Sequence, residues 1–281
     1  MELNPSRLID RIGIVTGSGK DIGAATARRL AAEGATVILA DIAIDDAQAT
    51  AASIAAQGGK AWAIALDLAE EDSIQALFEA VKAKHGRLDF LHNNAADTRP
   101  EQMAGDMALL DMDAAIWDRA FHVNARGTML MIKHALPLML AQQRGSIVNT
   151  SSGAALMGDY YGPAYAASKA AINTLSQYTA TQYGKQGIRC NVVSPGMTVT
   201  EGAKKTVPPA QLARIETHKL TPYLGAPNDI AAAVAWLVSD DARFVTGQVI
   251  QVDGGITAHV PYFAEVTSAF QSNPGIRPDE L

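Results

Sequence analysis

The chain has 281 residues, 48% hydrophobic and 19% charged, with a formal net charge of −6. This apolar fraction excludes a wholly disordered chain, and the spread of surplus acid leaves no basic patch for nucleic acid or an anionic membrane surface. The single cysteine, Cys190, cannot form an internal disulfide. Stretch 1–10 is polar, without a signal-peptide pattern, and no apolar run reaches the roughly 20 residues that span a bilayer. A cytoplasmic globular protein is expected.

Short runs, mostly rich in Val, Ile or Leu, alternate with helical periodicity along the chain. A strand over 12–16 leads to a helix over 22–33, then strand 36–40, helix 45–57, strand 61–66 and helix 71–85. Strand 88–92 follows, then a long helix over 112–143, strand 146–150, helix 164–183, strand 189–193, helix 228–240 and strand 249–252. Strand patterns without clean polar alternation read as strands buried on both faces of a parallel sheet. Gly34, Gly58, Gly59 and Gly86 stand where the first three helices should stop. The alternation implies a doubly wound α/β fold, a mostly parallel seven-stranded sheet with helices on both faces. No linker divides the chain, so one domain over 1–281 is expected. Stretch 200–225, with Pro208, Pro209 and Pro222, reads as a flap over one end of the sheet, and 256–281, with Pro261, Pro274 and Pro278, as a C-terminal tail.

The first strand runs into Thr16-Gly17-Ser18-Gly19-Lys20-Asp21-Ile22-Gly23 and then a helix. A glycine-rich turn at that place lets the backbone approach a diphosphate, and the amides of the helix N-terminus favour its charge. Asp41 ends the second strand, 24 residues after Gly17. A carboxylate there accepts the hydroxyls of an adenosine ribose and repels a 2′-phosphate. Lys20 argues the other way, as a cation in the same loop. Charge on the ribose-facing strand end outweighs a flexible lysine, which favours NAD over NADP.

A tyrosine is a poor base at its ordinary pKa of about 10, and a nearby ammonium lowers it. Residues four apart share a helix face. Of Tyr160, Tyr161, Tyr165, Tyr178 and Tyr183, only Tyr165 has a lysine four residues on, Lys169. Ser151 and Ser152 follow the strand over 146–150, at the edge where open α/β sheets bind ligands. A hydroxyl there either donates to a substrate oxygen or satisfies local backbone.

Together these residues resemble the short-chain dehydrogenase/reductase family, in its single-domain, Rossmann-type branch with a TGxxxGxG loop, over 11–255. The matching motifs are the Thr16–Gly23 loop, Asp67, Asn93-Asn94-Ala95-Ala96, Asn124, Ser152 with Tyr165 and Lys169, Pro195-Gly196, and Val252-Asp253-Gly254-Gly255. The resemblance implies hydride transfer between a secondary alcohol and a nicotinamide cofactor. Tyr165 would be the general acid/base, and Ser152, thirteen positions earlier, would hydrogen-bond the reacting oxygen. Lys169 would lower the phenol pKa and hold the nicotinamide ribose, and Asn124 would anchor a proton-relaying water. Cofactor contacts fall on Gly17, Gly19, Asp21, Ile22 and Gly23 in the loop, on Asp41, and on Asp67 and Leu68 beside the adenine. Asn93, Ala95, Tyr165, Lys169, Pro195, Gly196, Thr198 and Thr200 complete them. No metal is implied.

Three positions depart from the family pattern. Asp21 replaces the middle glycine of the loop and brings charge towards the diphosphate, although Asp is also a good helix N-cap. Ala96 replaces the glycine of NNAG, and Thr198 replaces an aliphatic residue. The substrate pocket is expected at Ala154, Met157, Tyr161, Met197 and the flap, whose apolar side chains suit a cyclic or aromatic alcohol or ketone. The resemblance also implies a homotetramer or homodimer paired through the helices over 112–143 and 164–183 and through the last strand. The tail carries Tyr262, Phe263, Val266 and Phe270, apolar groups that need cover, and is expected to pack on a neighbouring subunit. An NADPH-dependent ketone or 3-oxoacyl reductase is the competing enzyme reading, and a nucleotide sensor without catalysis the competing non-enzymatic one.

Overall fold

A strand turns successive side chains to opposite faces, so a run that is apolar at every position needs cover on both sides. In the computed structural model, which describes residues 7–273, 275 and 277, strand β1 (Ile12–Thr16) has that cover. Ile14 enters one buried cluster and Val15 another. The same split recurs in β2 (Thr36–Asp41), where Ile38 and Ala40 face one way and Val37 and Leu39 the other. The remaining strands are β3 (Lys60–Ala65), β4 (Phe90–Asn93), β5 (Gly145–Thr150), β6 (Ile188–Pro195) and β7 (Val249–Val252). All seven pair in parallel, in the order β3-β2-β1-β4-β5-β6-β7.

Helices α1 (Asp21–Ala32), α2 (Ile44–Ala56) and α3 (Glu71–His85) connect the first four strands. A short α4 (Pro100–Gly105), α5 (Ala114–Ala120) and α6 (Gly127–Ala141) precede β5, and α7 (Pro163–Tyr183) follows it. Beyond β6 come α8 (Glu201–Thr206), α9 (Pro209–Thr217) and α10 (Pro227–Val238), and beyond β7 comes α11 (Phe263–Ser272). One core packs α3, α6 and part of α7 on a face of the sheet, and the other packs α1, α2 and α10 on the opposite face. The strand order reverses between β1 and β4, which opens the ligand-binding crevice of a doubly wound sheet at the carboxyl edge.

The expected strands and main helices are present, with shifted ends. The expected strand 88–92 begins only at Phe90, because buried Asp89 takes the Ile12 amide on its carboxylate at 2.9 Å and pairs with Arg87. The helix expected over 112–143 runs unbroken over 114–141 but is not α-helical throughout: a π-helical turn at Phe121–Arg126 stands between α5 and α6. The flap over 200–225 is not irregular, since it carries α8 and α9. The tail carries α11 and meets its own flap: a His259 ring nitrogen lies 2.6 Å from the His218 carbonyl oxygen. Residues 1–6, Pro274 and Pro278 lie outside the described residues. Among those described, no helix is long and apolar enough to cross a membrane.

Candidate active site

The glycine-rich loop leaves β1 at Thr16 and is held against the turn after β4. Thr16 Oγ1 accepts the amides of Asn94 at 2.9 Å and Ala95 at 3.0 Å, while Asn94 Nδ2 donates to the carbonyls of Thr16 and Gly17, both at 3.1 Å. Gly17 turns at φ +61, and a Cβ on it would lie 2.9 Å from Ala95 Cα. A Cβ on Gly23 would lie 1.9 Å from the Gly17 carbonyl oxygen. Only bare backbone permits this approach, which leaves the N-terminus of α1, with half-buried Ile22, open for a diphosphate.

Asp41 stands beside the loop at the end of β2. Its carboxylate accepts the Gly19 amide at 2.7 Å and the Ala43 amide at 2.9 Å. Lys20, in the same loop, is exposed and paired with an acid of α2. Its Nζ lies 2.7 Å from Asp46, and that hydrogen bond holds the ammonium pKa above its ordinary value. Asp67 Oδ1 accepts the Ala69 amide at 2.8 Å, and neighbouring Leu68 is buried against the start of α6. Asn93 is buried and donates to Asn149 at 2.8 Å, leaving its own Oδ1 without a hydrogen-bond partner among the described residues. The glycine cradle, the carboxylate of Asp41 and this open acceptor fit a dinucleotide.

Asp21 does not act as the N-cap of α1, a position held by Lys20. It adopts φ +50 and turns its carboxylate towards the flap, where it accepts the Glu201 amide at 3.0 Å. Thr200 caps α8 through the Ala203 amide at 2.9 Å, and Thr198 donates to the Gly196 carbonyl at 3.1 Å. Pro195 closes β6, and Gly196 packs so tightly on Asp253 that a Cβ would lie 2.8 Å from its Cα.

The serine strand and the tyrosine helix meet at the same edge. Ser151 is buried and donates to the Lys169 carbonyl at 3.2 Å, so it is committed to structure. Ser152 is half-buried and accepts the Ala154 amide at 3.2 Å. Burial pushes the Tyr165 phenol above its ordinary pKa, and the neighbouring Ser152 side chain opposes that rise. Lys169 is 2% exposed, and burial lowers its pKa to about 8. Its Nζ donates to the Thr150 carbonyl at 2.8 Å and stands 5.8 Å from the centroid of the Tyr165 ring.

Asn124 sits in the π-helical turn, a widened turn that often marks functional positions. Its Oδ1 accepts the Asp97 amide at 2.8 Å, its Nδ2 donates to Ser168 Oγ at 3.0 Å, and Ser168 donates to the Tyr165 carbonyl at 2.7 Å. Of the expected pocket residues, Ala154 and Met197 are half-buried, whereas Met157 and Tyr161 are 44% and 56% exposed. Sequence reasoning missed buried His92, whose Nε2 lies 3.0 Å from Thr150 Oγ1, the residue that also holds Lys169. It also missed the stapling role of Thr16 and Asn94. Motifs mark Thr16 and Asn94 but not what they bond, and nothing local marks His92, because the partners are far along the chain.

The family model described as enoyl-(acyl carrier protein) reductase matches residues 16–257. A probable short-chain type dehydrogenase/reductase of Bradyrhizobium diazoefficiens is 43% identical over 268 residues, covering 95% of each chain. A 7alpha-hydroxysteroid dehydrogenase of Bacteroides fragilis is 38% identical over 256 residues, covering 91% of this chain and 98% of the relative. Among solved structures, a 7 alpha-hydroxysteroid dehydrogenase complexed with NADH and 7-oxo glycochenodeoxycholic acid superposes with a TM-score of 0.84 at 32% identity, covering 91% and 97% of the two chains. By these matches and its seven-stranded parallel sheet, this chain belongs to the short-chain dehydrogenase/reductase family, nicotinamide-dependent oxidoreductases acting on CH–OH groups.

Proposed function

We propose that this protein interconverts an apolar, ring-bearing secondary alcohol and its ketone with NAD as the preferred cofactor. The observation that carries the reading is the convergence of Ser152 and Tyr165 at the carboxyl edge of β5, with the Lys169 ammonium 5.8 Å from the centroid of the phenol ring. The likeness to hydroxysteroid dehydrogenases supports a fused-ring substrate. Exposed Met157 and Tyr161 and half-buried Met197 supply apolar surface for it.

The bound nicotinamide supplies the hydride acceptor for oxidation and the donor for reduction. Tyr165 takes the alcohol proton on its phenolic oxygen and returns it in reduction, while Ser152 Oγ donates to the same substrate oxygen. The Lys169 ammonium favours the phenolate and helps hold the nicotinamide ribose. Asn124 anchors the relay by which protons pass between Lys169 and solvent. Gly17, Gly19, Asp21, Ile22 and Gly23 would hold the diphosphate, Asp41 the adenosine ribose, and Asp67 and Leu68 the adenine. Asn93, Ala95, Pro195, Gly196, Thr198 and Thr200 would hold the nicotinamide half. Asp41 and the Lys20–Asp46 pair support NAD, because they leave a net negative ribose site.

A cytoplasmic homotetramer or homodimer completes the proposal. Between α6 and α7 lies a groove of about 420 Å³ lined by Met129, Leu136, Leu140, Leu175 and Tyr183, a face suited to a second copy. Sedimentation of Met129→Asp tests that pairing by a loss of assembled mass. The reaction itself is tested with a panel of cyclic, aromatic and steroid alcohols and NAD, followed by NADH absorbance. Turnover of at least one ring alcohol is expected, and an inert panel with both NAD and NADP overturns the reading.

A further inference from the structure

The first turn of a helix leaves amides without intrahelical partners, and in α7 their accounting singles out one residue from another part of the chain. Pro163 at the first helical position has no N–H, and the Ala166 amide reaches the Gly162 carbonyl at 2.8 Å. The two amides that remain belong to Ala164 and Tyr165. Both go to the carboxylate of Asp106, Ala164 to Oδ1 at 2.9 Å and Tyr165 to Oδ2 at 2.8 Å. The Asp106 carbonyl also accepts the Gly162 amide at 2.8 Å, so one side chain and its own backbone grip the entire entrance of the helix. Asp106 is 1% exposed and lies 59 residues before Tyr165, just after α4.

Gly162, the residue that precedes the helix, has no side chain with which to cap it. The local sequence therefore supplies no substitute. Tyr165 stands at the third helical position, inside the turn that frays when uncapped, whereas Lys169 is one turn deeper and separately tied to Thr150. Loss of the cap acts on the phenol and spares the ammonium.

We infer that Asp106 is the positioning residue of the reaction: its bidentate cap sets where the Tyr165 phenol stands relative to Ser152 and Lys169. The inference rests on the assignment of Tyr165 as general acid/base. It extends the active site to the segment between β4 and α5, which no motif marks.

The test is Asp106→Asn, which keeps the shape but presents a donor where one amide needs an acceptor. A displacement approaching 1 Å at reacting groups costs up to about 100-fold, so a fall in kcat of about tenfold or more is expected, with KM and the NADH dissociation constant within about twofold. The acid limb of the kcat profile should move to higher pH, and kcat should partly recover there, because a phenol displaced from Ser152 and Lys169 loses stabilisation of its phenolate. Tyrosinate absorbance of Tyr165, isolated by difference against Tyr165→Phe, reports the same shift without substrate. It therefore separates failure of this inference from failure of the proposed reaction. If Asp106→Asn does not fold, Asp106→Ser, which retains one acceptor, is measured in the same way. A lowered Tm with unchanged kcat, acid limb and phenol titration reduces Asp106 to a structural cap and overturns the inference.

Discussion

Asp21 Oδ1 accepts the backbone amide of Glu201 at 3.0 Å, joining the glycine-rich loop to the start of α8 across 180 positions of the chain. The backbone pays for this contact with φ +50 at a non-glycine residue, a strain of order 1 kcal/mol or more. The departure from the TGxxxGxG pattern thus places a tether between cofactor loop and flap. Asp21→Gly removes the strain and a negative charge beside the diphosphate site. A change of about 1 kcal/mol is about fivefold, and tighter NADH binding by that order is expected in a fluorescence titration. The same variant should be cut faster by trypsin after Lys204 and Lys205 in α8. An unchanged cleavage rate would show that the flap is held elsewhere.

The proposed general acid/base is the Tyr165 hydroxyl, so removing it should take away the group that exchanges the substrate proton. General acid–base groups contribute about 10²–10⁴-fold. Tyr165→Phe should therefore lose at least about 100-fold in kcat while binding NADH nearly as the parent does. Lys169→Ala should also abolish turnover. Kinetics paired with cofactor titration check both, and wild-type rates in the phenylalanine variant would refute the assignment.

The proposed preference for NAD rests on two acids. Asp41 holds the Gly19 amide, and Asp46 occupies the Lys20 ammonium. Asp41→Ser should raise the NADP-to-NAD ratio of kcat/KM by about tenfold, an energy of about 1.4 kcal/mol. Adding Asp46→Asn frees Lys20 and should raise it further. A double variant no different from the single one would mean that Lys20 does not reach the ribose phosphate.

Burial lowers the His92 pKa from 6.5 to about 3, with the Lys169 charge as a smaller cause. Between those values the unfolded chain binds a proton that the folded chain does not. Stability should therefore fall as pH drops below 6.5, by at most about 1.4 kcal/mol per pH unit from this residue. Thermal melts across that range should show the slope, and His92→Asn should flatten it. An unchanged slope in the variant would assign the acid sensitivity to other groups.

The parallel sheet was legible because apolar runs such as those containing Ile14 and Val15 record burial on both faces. The Tyr165–Lys169 spacing was legible because residues four apart share a helix face whatever surrounds the helix. The π-helical turn at Asn124 was not, since its periodicity is too close to that of an α-helix. Nor were α8 and α9, since the prolines of stretch 200–225 made it read as a flap, although Pro209 stands at the first turn of a helix, where it is tolerated.

Lys20 and Asp21 divide the two kinds of knowledge most clearly. The sequence by itself determined that both lie in the glycine-rich loop, which charges they carry, and that Asp21 stands in place of a glycine. Only the tertiary structure decided that Lys20 is occupied by Asp46, that Asp21 turns to Glu201, and that Asp106 caps the helix of Tyr165. Local spacing specifies faces and turns, because it acts through the backbone over a few residues. Which buried or paired group answers another depends on how distant segments pack, and packing is a property of the whole fold.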